Sequence, residues 1–264
     1  MRPSPRPSRS RPDSLEPANM NMPRLSFANA FKPALLFGLL VGTTLVAQDS
    51  AIETTRPAPR DGGWMQLHKR YVAQAKKGGV DLLFLGDSIT QGWNANDVWQ
   101  RYYGPRQAAN FGIGGDRTQH VLWRIENGEL DGISPKVAVL MIGTNNLGSS
   151  SPDEIAKGVT AIVKELGEKL PKTKILLLGV FPRGEKPASA RERIKSINET
   201  IAKLDDGSRV HYLDIGKAFL NPDGTISREI MPDFLHLSRK GYRIWADAME
   251  PTLWSMLDEP ASSK

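Results

Sequence analysis

From residue 81 onward the chain repeats one pattern: an apolar run of strand length, a turn of glycine and polar residues, then a longer amphipathic stretch. A parallel sheet covered by helices requires this alternation, because parallel strands must be joined by a long crossover that is usually helical. The runs lie at 81–86, 109–113, 137–142, 174–179 and 210–214. The third reads VAVLMI with no polar alternation, so it is expected to be buried on both faces. Helices are predicted over 64–77, 97–103, 118–127, 152–170, 188–204 and 238–257. In the first of these Trp64, Leu67, Tyr71 and Ala75 recur at helical spacing, and Gly78-Gly79 ends it. Ser151-Pro152-Asp153-Glu154 is a helix start, with a capping hydroxyl, a proline at the first helical position and acids facing the positive end of the dipole. The fold class is α/β.

A chain of 264 residues with 39% hydrophobic and 24% charged residues has globular proportions for one sizeable domain. Its net charge is +6, but residues 1–47 hold six Arg and Lys against Asp13 and Glu16, so the remainder carries only about +2. That is too little for a phosphate-backbone footprint, and no nucleic-acid partner is expected. The absence of Cys excludes disulfides, thiolate metal sites and a cysteine nucleophile. Arg24 and Lys32 precede a 13-residue apolar run, 34–46, that is too short for a stable membrane span and suited to a signal-peptide core. Ala47 offers a cleavage position, while Leu45 is atypical there and leaves a retained anchor as the alternative. The Pro, Arg and Ser-rich stretch before Met20 makes the leader over-long, and Met20 or Met22 would open one of ordinary length. The expected organisation is a signal peptide at 1–47, a linker at 48–62, a catalytic domain at 63–258 and a flexible tail at 259–264. The expected destination is periplasmic or extracellular.

Ligands of a doubly wound sheet bind beyond the carboxyl ends of its strands. There the sequence gathers Gly86-Asp87-Ser88, Gly112-Ile113-Gly114-Gly115-Asp116, Gly143-Thr144-Asn145-Asn146 and Asp233-Phe234-Leu235-His236. Acyl transfer by a hydroxyl needs a base, a group orienting the base, and donors for the developing oxyanion. Ser88, at a strand-to-helix turn, is the candidate nucleophile, and its own N–H is a candidate donor. Gly115 can bring its N–H close because it carries no side chain, and the Asn145 amide is a third donor. His236 is the candidate base, and Asp233, three residues earlier, can fold back to accept the Nδ1 proton.

At these residues the chain resembles the SGNH, or GDSL, hydrolase family through FLGDSITQG, NFGIGGD, GTNN and DFLH. Within that family it is similar to the catalytic subunits of platelet-activating factor acetylhydrolase Ib, through NFGIGGDRTQHVLWRIENGEL, LLLGVFPRGEKP, DGTIS and FLHLSRKGY. The resemblance spans about 63–257. It implies a flavodoxin-like three-layer α/β/α sandwich with a five-stranded parallel sheet and no metal. It also implies Ser88 as nucleophile, Gly115 and Asn145 in the oxyanion hole, and Asp233 and His236 completing a triad, and it points to a homodimer.

Other residues have plainer readings. His68 is placed on a surface helix, His120 beside the second block and His211 at the start of the fifth strand, none with a carboxylate spaced to orient it. Asp87 and Asp116 are expected to accept from loop N–H groups. Arg117 and Arg124 are read either as solvated or as partners of Glu126 and Glu129, and Trp93 and Trp99 as core or pocket wall. Neither G-x-G-x-x-G nor G-K-[ST] occurs, so no nucleotide cofactor is expected. With no insertion available for a lid, a shallow acyl pocket walled by Ile89 and Leu235 is predicted. The reading is a cofactor-free serine esterase removing short acyl groups, acetyl above all, from a carbohydrate or other small polar ester. Its rivals are a lysophospholipase or thioesterase using the same residues and a non-catalytic glycan-binding module.

Overall fold

The computed structural model describes residues 52–257, so the leader and the tail expected from the sequence lie outside the described residues. Its elements run α1 (Gly63–Ala75), β1 (Leu82–Gly86), α2 (Ser88–Gln91), α3 (Asp97–Tyr102), β2 (Ala108–Gly112), α4 (Thr118–Arg124), β3 (Val137–Met141), α5 (Pro152–Lys169), β4 (Lys174–Leu178), α6 (Ser189–Ile201), β5 (Val210–Leu213) and α7 (Arg239–Leu257). The strands form one parallel sheet in the order β2-β1-β3-β4-β5. Interior strand β1 is in register with both neighbours, Leu82 opposite Ala108 and Val137.

Each central strand feeds two cores, which is why its run is apolar throughout. Leu83, Leu85, Ala138, Leu140, Ile175 and Leu177 face one layer, where α1, α4, α5 and α6 contribute residues such as Tyr71, Val121, Ile162 and Ile197. Leu82, Phe84, Val139, Met141, Leu176 and Leu178 face the other, where α3 and α7 contribute Trp99, Trp245, Met249 and Leu253. At roughly 1.5–3 kcal/mol for each fully buried large apolar side chain, these two faces dominate the stability. The result is the expected three-layer α/β/α sandwich. The start of α5 is built as its sequence dictates: Ser151 Oγ accepts from Glu154 N at 3.3 Å while Glu154 Oε2 accepts from Ser151 N at 2.7 Å.

Three local expectations are corrected. The part of the 48–62 linker that is described is docked rather than free: Glu53–Thr55 form a 3-10 turn and Thr54 is fully buried. The helix predicted over 118–127 ends as an α-helix at Arg124 and continues as a wide turn through Glu129, with Gly128 at φ +88°. Its apolar periodicity could not reveal that Glu129 turns inward to an ion pair with Arg124. His68 is not on the surface. It is buried, 3.0 Å from Glu129 Oε2 and packed against Trp64 and Trp123.

Candidate active site

The site forms where β1 and β2 end side by side. A Cβ at Gly112 would lie 2.3 Å from Gln91 N and 2.9 Å from Asp87 O, so only glycine lets the second strand approach the turn that carries Ser88. That turn is capped by Asp87, whose Oδ1 accepts from Ile89 N at 2.9 Å, as expected for this residue. Ser88 opens α2 with its side chain partly exposed. Tyr242 of α7 anchors the same short helix by donating its hydroxyl to Ile89 O at 2.7 Å. Asn110 ties the two ends together, donating to Thr90 O and accepting from Gly112 N, each at 2.9 Å.

Ser88 Oγ lies 2.9 Å from His236 Nε2, and His236 Nδ1 lies 2.7 Å from Asp233 Oδ2. The four residues Asp233-Phe234-Leu235-His236 fold into a tight turn with Phe234 at φ +60°. Asp233 Oδ1 holds this turn by accepting from Leu235 N at 3.1 Å and His236 N at 2.7 Å. Burial alone would raise the Asp233 carboxyl, but the hydrogen bonds from the His236 ring and the two amides outweigh it and hold it at about 2. A carboxylate at Oδ2 keeps the ring proton on Nδ1, which leaves Nε2 to accept from the serine hydroxyl.

Gly115 follows Gly114, whose added Cβ would lie 3.8 Å from Ser88 Cβ; it has φ +76°, a conformation few other residues adopt, and its N–H has no acceptor among the described residues. The preceding residue is held at both ends: Gly114 N donates to Gln91 Oε1 at 2.9 Å, and Gly114 O accepts from Arg60 Nη1 at 2.8 Å. The Asn145 amide donates to Asp116 O at 2.9 Å, which fixes it beside this loop and leaves its second amide hydrogen for another acceptor.

Beneath the loop lies a buried ionic cluster: of the two readings of Arg124, pairing with Glu129 holds, and Asp116 joins the pair. Asp116, Arg124 and Glu129 are all fully buried. Arg124 Nε is 2.9 Å from Asp116 Oδ2, Arg124 also pairs with Glu129, and its Nη1 donates to Phe111 O at 2.8 Å. Asp116 thus accepts from Trp64 Nε1 at 2.6 Å and pairs with Arg124, where sequence reasoning expected loop amides. Burial raises the Asp116 carboxyl, against the nearby Arg124. Burial also pushes Asp87 up to about 7. Burial and the positive charges of Arg60, Arg117 and Arg124 depress His120 to about 4, so its ring is neutral and accepts from Arg117 N at 3.0 Å.

A cavity of about 320 Å³ opens beside Ser88 and His236, walled by Gly92, Ala95, Asn96, Leu237 and Tyr242, with Asp97 and Arg239 at its rim. Ile89 and Leu235 do not line it. Ile89 is fully buried in the core with Phe84 and Trp93, and half-buried Leu235 packs against that core. Trp93 and Trp99 are core residues too. A larger cavity of about 500 Å³ between α6 and β5 contains none of the residues above that meet at Ser88, so the smaller one is the relevant space.

The pattern of the GDSL-like lipase/acylhydrolase family matches residues 84–244, a span that includes Ser88, Gly115, Asn145, Asp233 and His236. The chain belongs to that family. It is 43% identical over 200 residues to the platelet-activating factor acetylhydrolase IB subunit alpha1 of Bos taurus, covering 75% of this chain and 86% of the relative. It is 40% identical over 205 residues to the alpha2 subunit of Gallus gallus, covering 77% and 89%. Among solved structures, a GDSL-like lipase from Bacteroides thetaiotaomicron shares the fold at TM-score 0.59 and 19% identity, over 71% of this chain and 97% of that one. A catalytic mutant of an acetylxylan esterase from Geobacillus stearothermophilus shares it at TM-score 0.53 and 20% identity, over 71% and 98%. This GDSL hydrolase acts on ester bonds.

Proposed function

We propose that this hydrolase removes short acyl groups, acetyl foremost, through an acyl-serine intermediate on Ser88. The observation that carries the reading is the unbroken chain from Ser88 Oγ through His236 to Asp233, opening on a cavity of about 320 Å³. His236 takes the serine proton as Oγ attacks the ester carbonyl, and the oxyanion is received by the N–H groups of Ser88 and Gly115 and the Asn145 amide. The protonated ring then gives its proton to the departing alcohol, and water reverses the sequence to release the acid. Support for acetyl comes from relatives that are acetylhydrolases. The polar rim of Asn96, Asp97 and Arg239 suits a small polar alcohol such as a sugar. The names of the relatives favour a second reading of the alcohol side, an acetylated lipid. Export through the leader is proposed from its sequence alone.

A series of p-nitrophenyl esters, with acetylated sugars and an acetylated lipid alongside, tests this. Each methylene that finds no room forgoes about 0.8 kcal/mol of burial and adds strain, so acetyl should exceed butyryl by roughly tenfold or more in kcat/KM. Octanoyl turnover equal to acetyl would overturn the short-acyl reading.

A further inference from the structure

The segment before α1 ends on a residue that reaches the site. Thr54 Oγ1 donates to Glu154 O at 2.6 Å, Thr118 Oγ1 donates to Thr54 O at 2.8 Å, and Ala58 N donates to Gln119 O at 3.1 Å. A Cβ at Gly158 of α5 would lie 2.8 Å from Thr54 O, so α5 carries glycine where this segment crosses it. Docked in this way, residues 52–60 bring the Arg60 guanidinium against the second block, although they precede the 84–244 span matched by the family pattern.

The carbonyl of Gly114 and the amide of Gly115 belong to one planar trans peptide and point in opposite directions. Whatever grips the carbonyl therefore aims the amide. Arg60 Nη1 grips it at 2.8 Å and is itself steered by Asp116 Oδ1 at 3.3 Å, which burial and Arg124 hold in place. The guanidinium lies so close that a Cβ at Gly115 would be 3.2 Å from Nη1. A cation on a carbonyl oxygen also withdraws density from its peptide and strengthens the attached N–H as a donor.

We propose that Arg60 is a positioning residue for the oxyanion hole, holding and polarising the Gly114–Gly115 peptide so that the Gly115 N–H meets the developing charge. This rests on the reading of Gly115 as an oxyanion donor. Arg60 acts through the peptide and not on substrate, so its loss should fall on kcat.

The test compares wild type, Arg60→Ala and Arg60→Lys on p-nitrophenyl acetate, with thermal melts and with guanidinium chloride added at millimolar levels. Loss of an oxyanion donor costs about 10² to 10³-fold in kcat, and losing only its support should cost about 10 to 10²-fold. The expected result is that drop in kcat for Arg60→Ala with KM within about twofold, partial recovery in Arg60→Lys, and partial rescue by guanidinium. Should Arg60→Ala not fold, Arg60→Lys must still show a lowered kcat, since its shorter side chain does not extend to the Nη1 position from which Arg60 reaches both Gly114 O and Asp116 Oδ1. Wild-type kcat in a folded variant, or a change confined to KM, would overturn the role of Arg60 while leaving the serine mechanism standing. A wild-type protein that hydrolyses no ester would instead remove the reading beneath it.

Discussion

Two carboxylates in the site differ by environment alone. Asp233 sits on an exposed turn and accepts three hydrogen bonds that hold it at about 2, below its ordinary 3.8. Its grip on His236 is therefore intact above about pH 4 and is lost only as pH falls through about 2. Asp233→Asn keeps an oxygen for the two backbone amides but turns an N–H donor toward Nδ1, reversing the ring tautomer. The expected loss in kcat is on the order of 10² to 10⁴-fold with the melting temperature little changed, and near-normal kcat would deny Asp233 its orienting role. Asp87 is the opposite case. Its Oδ2 is buried with no partner among the described residues, and burial pushes the group up to about 7 from 3.8. The folded protein then retains a proton that the unfolded chain releases, so stability falls as pH rises from about 4 to about 7. Asp87→Asn removes that slope while keeping the cap. Relative to wild type it should gain at least about 2–4 °C in Tm between pH 5 and pH 8, the equivalent of 1 kcal/mol in a domain of this size. Parallel melting curves at both pH values would contradict the buried-acid account.

At the scale of elements, the strands and long helices were legible because their hydrophobic periods are uncompromised. The VAVLMI run is β3 and the Ser-Pro-Asp-Glu start caps α5. The docked segment at 52–60 was not legible, since it binds through backbone groups, one buried threonine and the Glu53 and Arg60 side chains, none of which leaves a periodic trace. The inward turn at 125–129 was hidden for a related reason: His68 looks like a surface residue until Glu129, 61 positions away, is brought against it, and the Arg124–Glu129 spacing did not show that the pair is buried. The fit between the docked segment and α5 can be tested at Gly158. A methyl there would meet Thr118 Oγ1 at 2.5 Å and Thr54 O at 2.8 Å. Gly158→Ala should cost about 1–3 kcal/mol, visible as a lowered melting temperature, and should reduce kcat by loosening Arg60. A variant with unchanged Tm and kcat would mean that the segment contributes to neither.

Across the whole molecule, most of the site could be read from four short blocks because a parallel sheet forces its strand ends to converge. Ser88, His236 and Asp233 are joined by hydrogen bonds, and the Asn145 amide is tied to the loop that carries Gly115. The acyl-pocket walls were misjudged at Ile89, since neighbouring the nucleophile in sequence placed its side chain in the core and not in the cavity. Arg60, Gln91 and Asn110 were missed as positioning groups because their work is done on backbone atoms of other segments. The central claim is that Ser88 is the attacking group, made nucleophilic by His236. Its most direct test is treatment of the wild type with a fluorophosphonate, followed by peptide mass spectrometry, with Ser88→Ala as the control. The account predicts one adduct per chain on Ser88, formed in step with loss of esterase activity and absent from the inactive variant. An adduct on another residue, or esterase activity that survives in Ser88→Ala, would contradict it.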